Sequence, residues 1–175
     1  QDPAALQAIS DTIRARFSAG TLPPDLAHAL RQAYAELGAT AVAVRSSATA
    51  EDLPDLSFAG QQDTFLNVSG QDALLQAVVA CWSSLWTARA IGYRARNRIP
   101  HHDLALAVVV QEMVPAEAAG VLFTADPLSG RRTEMVLEAT LGLGEALVSG
   151  QVEPDHFRLD AASGRILERT LGAKA

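Results

Sequence analysis

The spacing of apolar residues changes near Pro100, and this change limits the possible folds more than any other feature of the sequence. Before it, apolar residues recur every three or four positions, which is the period of a helix with one buried face. After it, short apolar runs alternate with turns that contain Gly or Pro, as successive strands do. A mainly helical half followed by consecutive strands predicts an α+β fold, with a mixed or antiparallel sheet and flanking helices.

Helical spacing is found in three segments before Pro100, and each has recognisable end signals. The second segment starts at Pro23-Pro24 and stops at Gly38, because Pro is favoured in the first turn and Gly just past the last. The predicted helices cover residues 4–18, 24–37 and 72–97. In the third, Trp82, Trp86 and Tyr93 form a stripe that we expect to pack in the core, with Cys81 as a buried thiol beside it.

The predicted strands are short runs of β-branched and aromatic residues bounded by turn residues. Val108–Val110 is apolar at every position, which indicates an interior strand covered on both faces. The last two strands are expected to form a hairpin that turns at residues 161–164. The predicted strands are 40–44, 64–68, 104–114, 120–125, 134–140, 155–160 and 164–170.

The overall composition excludes several classes of protein. The chain has 175 residues, of which 49% are hydrophobic and 19% charged, so it can build one domain or two small ones. A net charge of −6 argues against sequence-independent nucleic-acid binding, although it permits a small anion. The single Cys81 precludes an internal disulfide and fits a reducing cytoplasm. No apolar run approaches the ~20 residues that span a bilayer, so we expect no membrane partner.

Arg45 and the polar segment that follows it are the first candidate site. Arg45 ends an apolar strand and precedes Ser-Ser-Ala-Thr, where its guanidinium can bind a phosphate with two hydrogen bonds. The alternative is a strand-end ion pair with Glu51 or Asp52. Further on, backbone N–H groups around Gly60 and the hydroxyl of Thr64 can form an anion-binding loop, or Gly60 can simply make a turn.

A second candidate lies where the apolar run before Gln111 ends. Gln111 offers an amide and Met113 a polarisable side chain, which suits a flat heterocycle such as adenine. The alternative is an ordinary loop with Gln111 in solvent. Glu138 and Glu145 can be metal or ribose ligands, but a surface position is favoured for each.

Three sequence blocks also resemble a known superfamily. "VRSSATAEDLPDLSFAGQQDTFLNV" (44–68), "GVLFTADPLSG" (120–130) and "EATLGLGEALVSGQVEPD" (138–155) resemble the nucleotide-binding region of the phosphoenolpyruvate synthase and pyruvate phosphate dikinase superfamily. The resemblance extends over nearly all of the chain from Leu22 onward. Within the superfamily, the chain looks most similar to rifampin phosphotransferases, with phosphoenolpyruvate synthase a near second.

This resemblance implies an ATP-grasp type fold, with a helical lead-in at 1–40 and an ATP-binding region at 41–175. It also implies an enzyme that cleaves ATP to AMP and inorganic phosphate. The β-phosphoryl group then passes through a histidine on another domain to an acceptor, a rifamycin or, alternatively, pyruvate. By motif, Arg45 would contact the phosphates, Gly60 and Thr64 would line the phosphate loop, and Gln111 with the backbone near Met113 would hold adenine.

Parts of the superfamily pattern have no counterpart here. The Lys-bearing segment would precede Gln1, and the Glu and Gln-x-Arg that bind Mg²⁺ and phosphates would follow Ala175. We therefore expect the Mg²⁺ ligands outside this chain, and expect the chain alone to be inactive. Its partners would be ATP and the phosphohistidine and acceptor-binding domains of a parent enzyme. The alternative from another class is a non-catalytic nucleotide-binding or interaction module.

Overall fold

The computed structural model describes residues 2–48, 63–102 and 104–173. The chain forms two compact units, Gln1–Met113 and Val114–Ala175. The first unit contains α1 (Pro3–Ala19), α2 (Pro24–Glu36), β1 (Val42–Ala48), β2 (Phe65–Val68), α3 (Gln71–Ser84), α4 (Ala88–Arg96) and β3 (Leu106–Glu112). The second contains β4 (Ala118–Phe123), β5 (Glu134–Leu141), α5 (Glu145–Val148), β6 (Asp155–Asp160) and β7 (Ile166–Thr170). All strand pairs are antiparallel, so the predicted class of helices with antiparallel sheets is confirmed.

Helix α2 begins where its sequence signal predicts, and α1 begins at Pro3, one residue before its predicted start. The Asp2 carboxylate accepts the Ala4 N–H at 3.0 Å and caps α1, because the first amides of a helix have no partner within it. Helix α2 starts at Pro24, and Gly38 follows it with a φ of +81°, a conformation that favours glycine.

The single helix predicted over 72–97 is wrong, because the structure has two helices there. Helix α3 ends at Ser84, and Thr87 then takes an extended backbone and starts α4. Its hydroxyl accepts the Ala90 N–H at 3.3 Å, which is how a Thr caps a new helix. Without Pro or Gly between the two helices, the sequence gives little sign of this break.

Residues 71–96 together pass a length and composition test for a membrane span. Within this segment, 56% of the 18-residue window that passes the test is buried inside the chain. Within it, Leu74, Val78 and Cys81 lie at 0–1% exposure in the core of the first unit. The apolar character of the segment is therefore accounted for by packing.

The first sheet has the strand order β2-β1-β3, with β1 in the centre. Strand β1 continues to Ala48, so the prediction that Arg45 ends the strand is wrong and Arg45 lies in its middle. Between β1 and β2 the register shifts by one residue. Asn67 absorbs this shift with a φ of +55°, a conformation that Asn tolerates better than most residues.

One face of this sheet forms the core of the first unit. Val42 and Val44 are fully buried and pack with Tyr34, Leu74 and further side chains of α3. The Tyr34 hydroxyl donates to the Thr40 carbonyl at 2.9 Å and accepts the Gly70 N–H at 2.9 Å, so this buried group is satisfied. Of the predicted aromatic stripe, Trp82 packs against this cluster.

The prediction that Val108–Val110 is interior on both faces is wrong. Val108 and Val110 pack against the core, whereas Val109 points to the other face and is 46% exposed. Strand β3 lies at an edge of the sheet among the described residues. A uniformly apolar run hides the alternation that a strand imposes on its side chains.

The second unit is a four-stranded antiparallel sheet in the order β4-β5-β6-β7. The predicted hairpin at 161–164 is confirmed: Gly164 has a φ of +70°, and the Asp160 carboxylate accepts the Ser163 N–H at 2.9 Å. The glycine loop after β5 contains the short helix α5. Across β5, β6 and β7, Arg158 bonds to Glu134 at 3.0 Å and to Glu168 at 2.7 Å.

A buried cation lies beside the α4–β3 connection. Arg94 is 0% exposed, and its guanidinium carbon lies 5.3 Å from the centre of the Trp86 ring. Its Nε donates to His101 Nδ1 at 3.1 Å. His101 is exposed, but its Nδ1 accepts this bond, which requires Nδ1 to be unprotonated.

The surroundings of His101 make stability depend on pH. Burial, and next the positive charges of Arg94 and His102, lower the pKa of His101 below its ordinary value of 6.5. As pH falls below that value, the unfolded chain protonates His101 first, so we expect the folded state to lose stability. Urea midpoints measured between about pH 7 and about pH 5 should fall less steeply in His101→Gln than in wild type. His28→Gln, on the exposed side of α2, provides a matched substitution at a second histidine. A slope in His101→Gln equal to that of wild type would contradict the prediction.

Candidate functional site

The face of the first sheet opposite the core is the candidate site, and we call it the open face. It carries Ala43, Arg45 and Ser47 from β1. In the antiparallel register Gln111, Val109 and Ala107 of β3 lie opposite them. Except for Ala43, all of these residues are exposed. Directly opposed residues share one face of an antiparallel pair, so the six side chains form one surface.

Arg45 is the charged centre of the open face. It is exposed, and its side chain has no hydrogen bond or ion pair to the described part of the chain. Its alternative partners, Glu51 and Asp52, lie outside the described residues. Its cross-strand neighbour is Val109, so a bound anion would meet a guanidinium beside an apolar surface.

Gln111 lies on the same face as Arg45, one diagonal step along β3. Diagonal neighbours across an antiparallel pair are about 7–8 Å apart, a separation that leaves room for a ligand between the two side chains. Met113 is half-buried, and its backbone N–H donates to the Ala41 carbonyl at 2.9 Å. That N–H is therefore used by the sheet, which leaves the carbonyl and side chain of Met113 for any ligand.

Thr64 immediately precedes β2, close to the level of Arg45. The residue after it, Phe65, pairs with Val44. Because the two strands are antiparallel, the residue before Phe65 lies alongside the residue after Val44. Thr64 is exposed, so its hydroxyl is accessible. Gly60, the other predicted loop residue, lies outside the described residues.

Two features beside the open face were not found from the sequence. The first is Val109, which the apolar run concealed. The second is an ion pair between Arg89 Nη2 and Asp63 Oδ1 at 2.6 Å, immediately before Thr64. The partners are 26 residues apart, and neither lies in a recognisable motif. Only the three-dimensional structure, which brings the start of α4 to Asp63, reveals the pair.

The acidic candidates of the second unit have ordinary surroundings. Glu138 lies 3.8 Å from His156 in a cross-strand pair, and both side chains are about two-fifths exposed. Glu145 is exposed in the first turn of α5. Among residues 2–48, 63–102 and 104–173, no group of three or more His, Cys, Asp or Glu side chains is placed to hold a metal ion.

A cavity of about 840 Å³ lies between α1, α2 and α3, and its described lining includes no residue of the open face. Its two arginines are already engaged. Arg14 Nε donates to Ser83 Oγ at 3.2 Å, and Arg31 pairs with Asp72 at 3.3 Å. The open face, with an accessible Arg45, is therefore the better candidate for an anion.

The open face of the first sheet thus carries an accessible guanidinium, an amide and an apolar patch. The sequence matches the family described as "Pyruvate phosphate dikinase, AMP/ATP-binding domain" over residues 1–175, and the chain belongs to this family. The superfamily resemblance is thereby confirmed.

The curated relatives are much longer proteins. Rifampicin phosphotransferase of Streptomyces sviceus is 52% identical over 174 residues, which cover 99% of this chain and 20% of the relative. Phosphoenolpyruvate synthase of Pyrococcus furiosus is 45% identical over 179 residues, covering 99% and 22%. Rifampicin phosphotransferase of Bacillus subtilis is 47% identical over 167 residues, covering 95% and 19%. The chain thus spans about a fifth of the relatives' length.

Proposed function

We propose that this chain is the ATP-binding part of a dikinase-type phosphotransferase, with an ATP-grasp type arrangement over residues 41–175. The observation that carries the proposal is the accessible guanidinium of Arg45, beside Val109 and diagonal to Gln111 on one open face. Family membership supports a nucleotide as the ligand.

Each residue of the site has a distinct role in this proposal. Arg45 donates two hydrogen bonds to phosphate oxygens, because its planar group fits them in that way. Thr64 adds a hydroxyl beside it, with Gly60 in the same loop. Gln111 bonds to the edge of adenine together with backbone groups near Met113. Val109 supplies an apolar contact for the ribose or the base.

The complete reaction needs groups from the rest of a longer protein. We propose that ATP is cleaved to AMP and inorganic phosphate. The β-phosphoryl group then reaches a rifamycin through a phosphohistidine on another domain, in the cytoplasm. The names of the relatives support a rifamycin first and pyruvate second as the acceptor. Phosphoryl transfer of this kind uses Mg²⁺ to neutralise phosphate charge, and its ligands are expected outside this chain.

A non-catalytic nucleotide-binding or interaction module is the alternative. The two functions differ in the affinity of the isolated chain for ATP, because a non-catalytic module must bind its nucleotide tightly without help from other domains. If a longer protein supplies further phosphate and metal ligands, as proposed, this chain alone should bind ATP with a dissociation constant on the order of hundreds of micromolar, since each ~1.4 kcal/mol of missing interaction weakens binding tenfold.

Isothermal titration of this chain with ATP, adenosine and tripolyphosphate tests the proposal. We expect ATP to bind more tightly than adenosine or tripolyphosphate, because the open face would hold both the base and the phosphates. A Gln111→Leu variant should weaken ATP and adenosine but leave tripolyphosphate unchanged. If wild type binds none of the three ligands at millimolar concentration, the proposed function is wrong.

A further inference from the structure

The residue immediately before Thr64 is fixed to the helical layer by its side chain. Asp63 Oδ1 accepts from Arg89 Nη2 at 2.6 Å, a short distance for a charge-assisted hydrogen bond. Arg89 lies in the first turn of α4, which begins at Ala88. The ion pair therefore connects a helix to the end of the segment that leads into β2.

The backbone of Asp63 is fixed as well. Its carbonyl accepts a weak bond from the Cys81 thiol at 4.0 Å, and Cys81 is fully buried in α3. On the other side of Thr64, Phe65 packs against the core and pairs with Val44. Thr64 is thus an exposed residue between two anchored neighbours, at the level of Arg45.

Stability alone does not explain this arrangement. The side chains of Arg89 and Asp63 are 52% and 34% exposed, and exposed ion pairs contribute about 0–1 kcal/mol to folding. The ion pair can still matter for the position of Thr64, because displacing a binding group by about 1 Å can cost far more in function than in folding.

We propose that Arg89 and Asp63 form a positioning pair that holds Thr64 and the start of β2 in register with Arg45 for phosphate binding. This inference rests on the proposed function of the open face. Neither residue is assigned a contact with the ligand; both act through the backbone of Thr64.

Neutral variants of Asp63 and Arg89 distinguish a positioning role of the pair from a direct effect of its charges on ATP. Asp63→Asn removes a negative charge near the site, so electrostatics alone would raise the affinity for ATP, which is strongly anionic. Positioning predicts the opposite, a fall of about tenfold in both Asp63→Asn and Arg89→Gln, equivalent to ~1.4 kcal/mol. Adenosine affinity should stay unchanged in both variants, because adenosine has no phosphate to contact Thr64.

A second ion pair of the same unit provides the matched control. Arg31 and Asp72 lie 3.3 Å apart, with side chains 41% and 89% exposed, and they connect α2 to α3 away from the open face. Arg31→Gln should leave ATP affinity unchanged. The double variant Asp63→Arg with Arg89→Asp should recover part of the lost affinity, because it restores the pair with reversed polarity.

Titration with ATP and adenosine, together with urea unfolding of each variant, distinguishes the outcomes. If wild type does not bind ATP, the proposed function fails. If wild type binds ATP and both neutral variants bind equally well, the positioning pair alone is overturned. If the variants lose adenosine affinity and stability along with ATP affinity, the pair is structural and the inference is also overturned.

Discussion

Arg45→Ala should weaken ATP binding by at least about 10–100-fold, since even one hydrogen bond to a charged group contributes about 1.5–3 kcal/mol. The structure predicts little effect on folding, because Arg45 is exposed and has no partner in the described part of the chain. The loss should therefore appear in ATP and tripolyphosphate titrations, and adenosine binding should persist. The midpoint of urea unfolding should stay close to wild type.

Two further variants define the contribution of Arg45. Arg45→Lys keeps the charge but loses the planar pair of donors, so its affinity should fall between those of wild type and Arg45→Ala. Arg16→Ala removes the same charge from an exposed position on α1 and should bind ATP normally. An Arg45→Ala protein that binds ATP like wild type would remove Arg45 from the site. A weakened Arg16→Ala would point to net charge instead.

Val109→Asp should abolish most ATP binding without unfolding the protein. The new carboxylate would lie directly opposite Arg45, and residues paired in this way have Cβ atoms about 4.5–5.5 Å apart. It would compete with phosphate for the guanidinium and repel the ligand, which we expect to lower affinity at least tenfold, or ~1.4 kcal/mol. Because Val109 is 46% exposed, the added charge stays solvated.

The same substitution at Val110 should have the opposite effect, on folding and not on binding alone. Val110 packs against the core, so Val110→Asp buries a charge and should cost several kcal/mol of folding free energy. Val109→Thr, similar in size and neutral, should bind ATP nearly as wild type does. Circular dichroism and ATP titration of the three variants check these expectations. Equal unfolding in the two Asp variants would show that Val109 does not face solvent.

The sequence was informative where a local rule acts. The start of α2 at Pro24 follows from the preference of Pro for the first turn of a helix, and the hairpin turn that ends at Gly164 follows from the tolerance of glycine for a positive φ. The α3–α4 break was missed because Thr87 is a cap without a strong breaker beside it. A capping hydroxyl is common enough in sequences that it rarely identifies a break by itself.

Some residues of the candidate site were also predictable from local sequence motifs, and others were not. Arg45, Thr64 and Gln111 were identified from sequence motifs, and the structure places Arg45 and Gln111 on one face, with Thr64 at the same level. The sequence does not assign Val109 to that face, because in an unbroken apolar run it does not show which residues face the core and which face away from it. The pairing of Asp63 with Arg89 depends on packing across 26 residues, which no local pattern encodes.

Strand β3 also has a practical consequence for handling the protein. Its sequence, LAVVVQE, is rich in β-branched residues, and it lies at an edge of the described sheet. Unpaired backbone groups on such an edge can recruit a strand from another molecule and start aggregation. Residues 106–112 are therefore one segment to check first when concentrated samples of this chain self-associate.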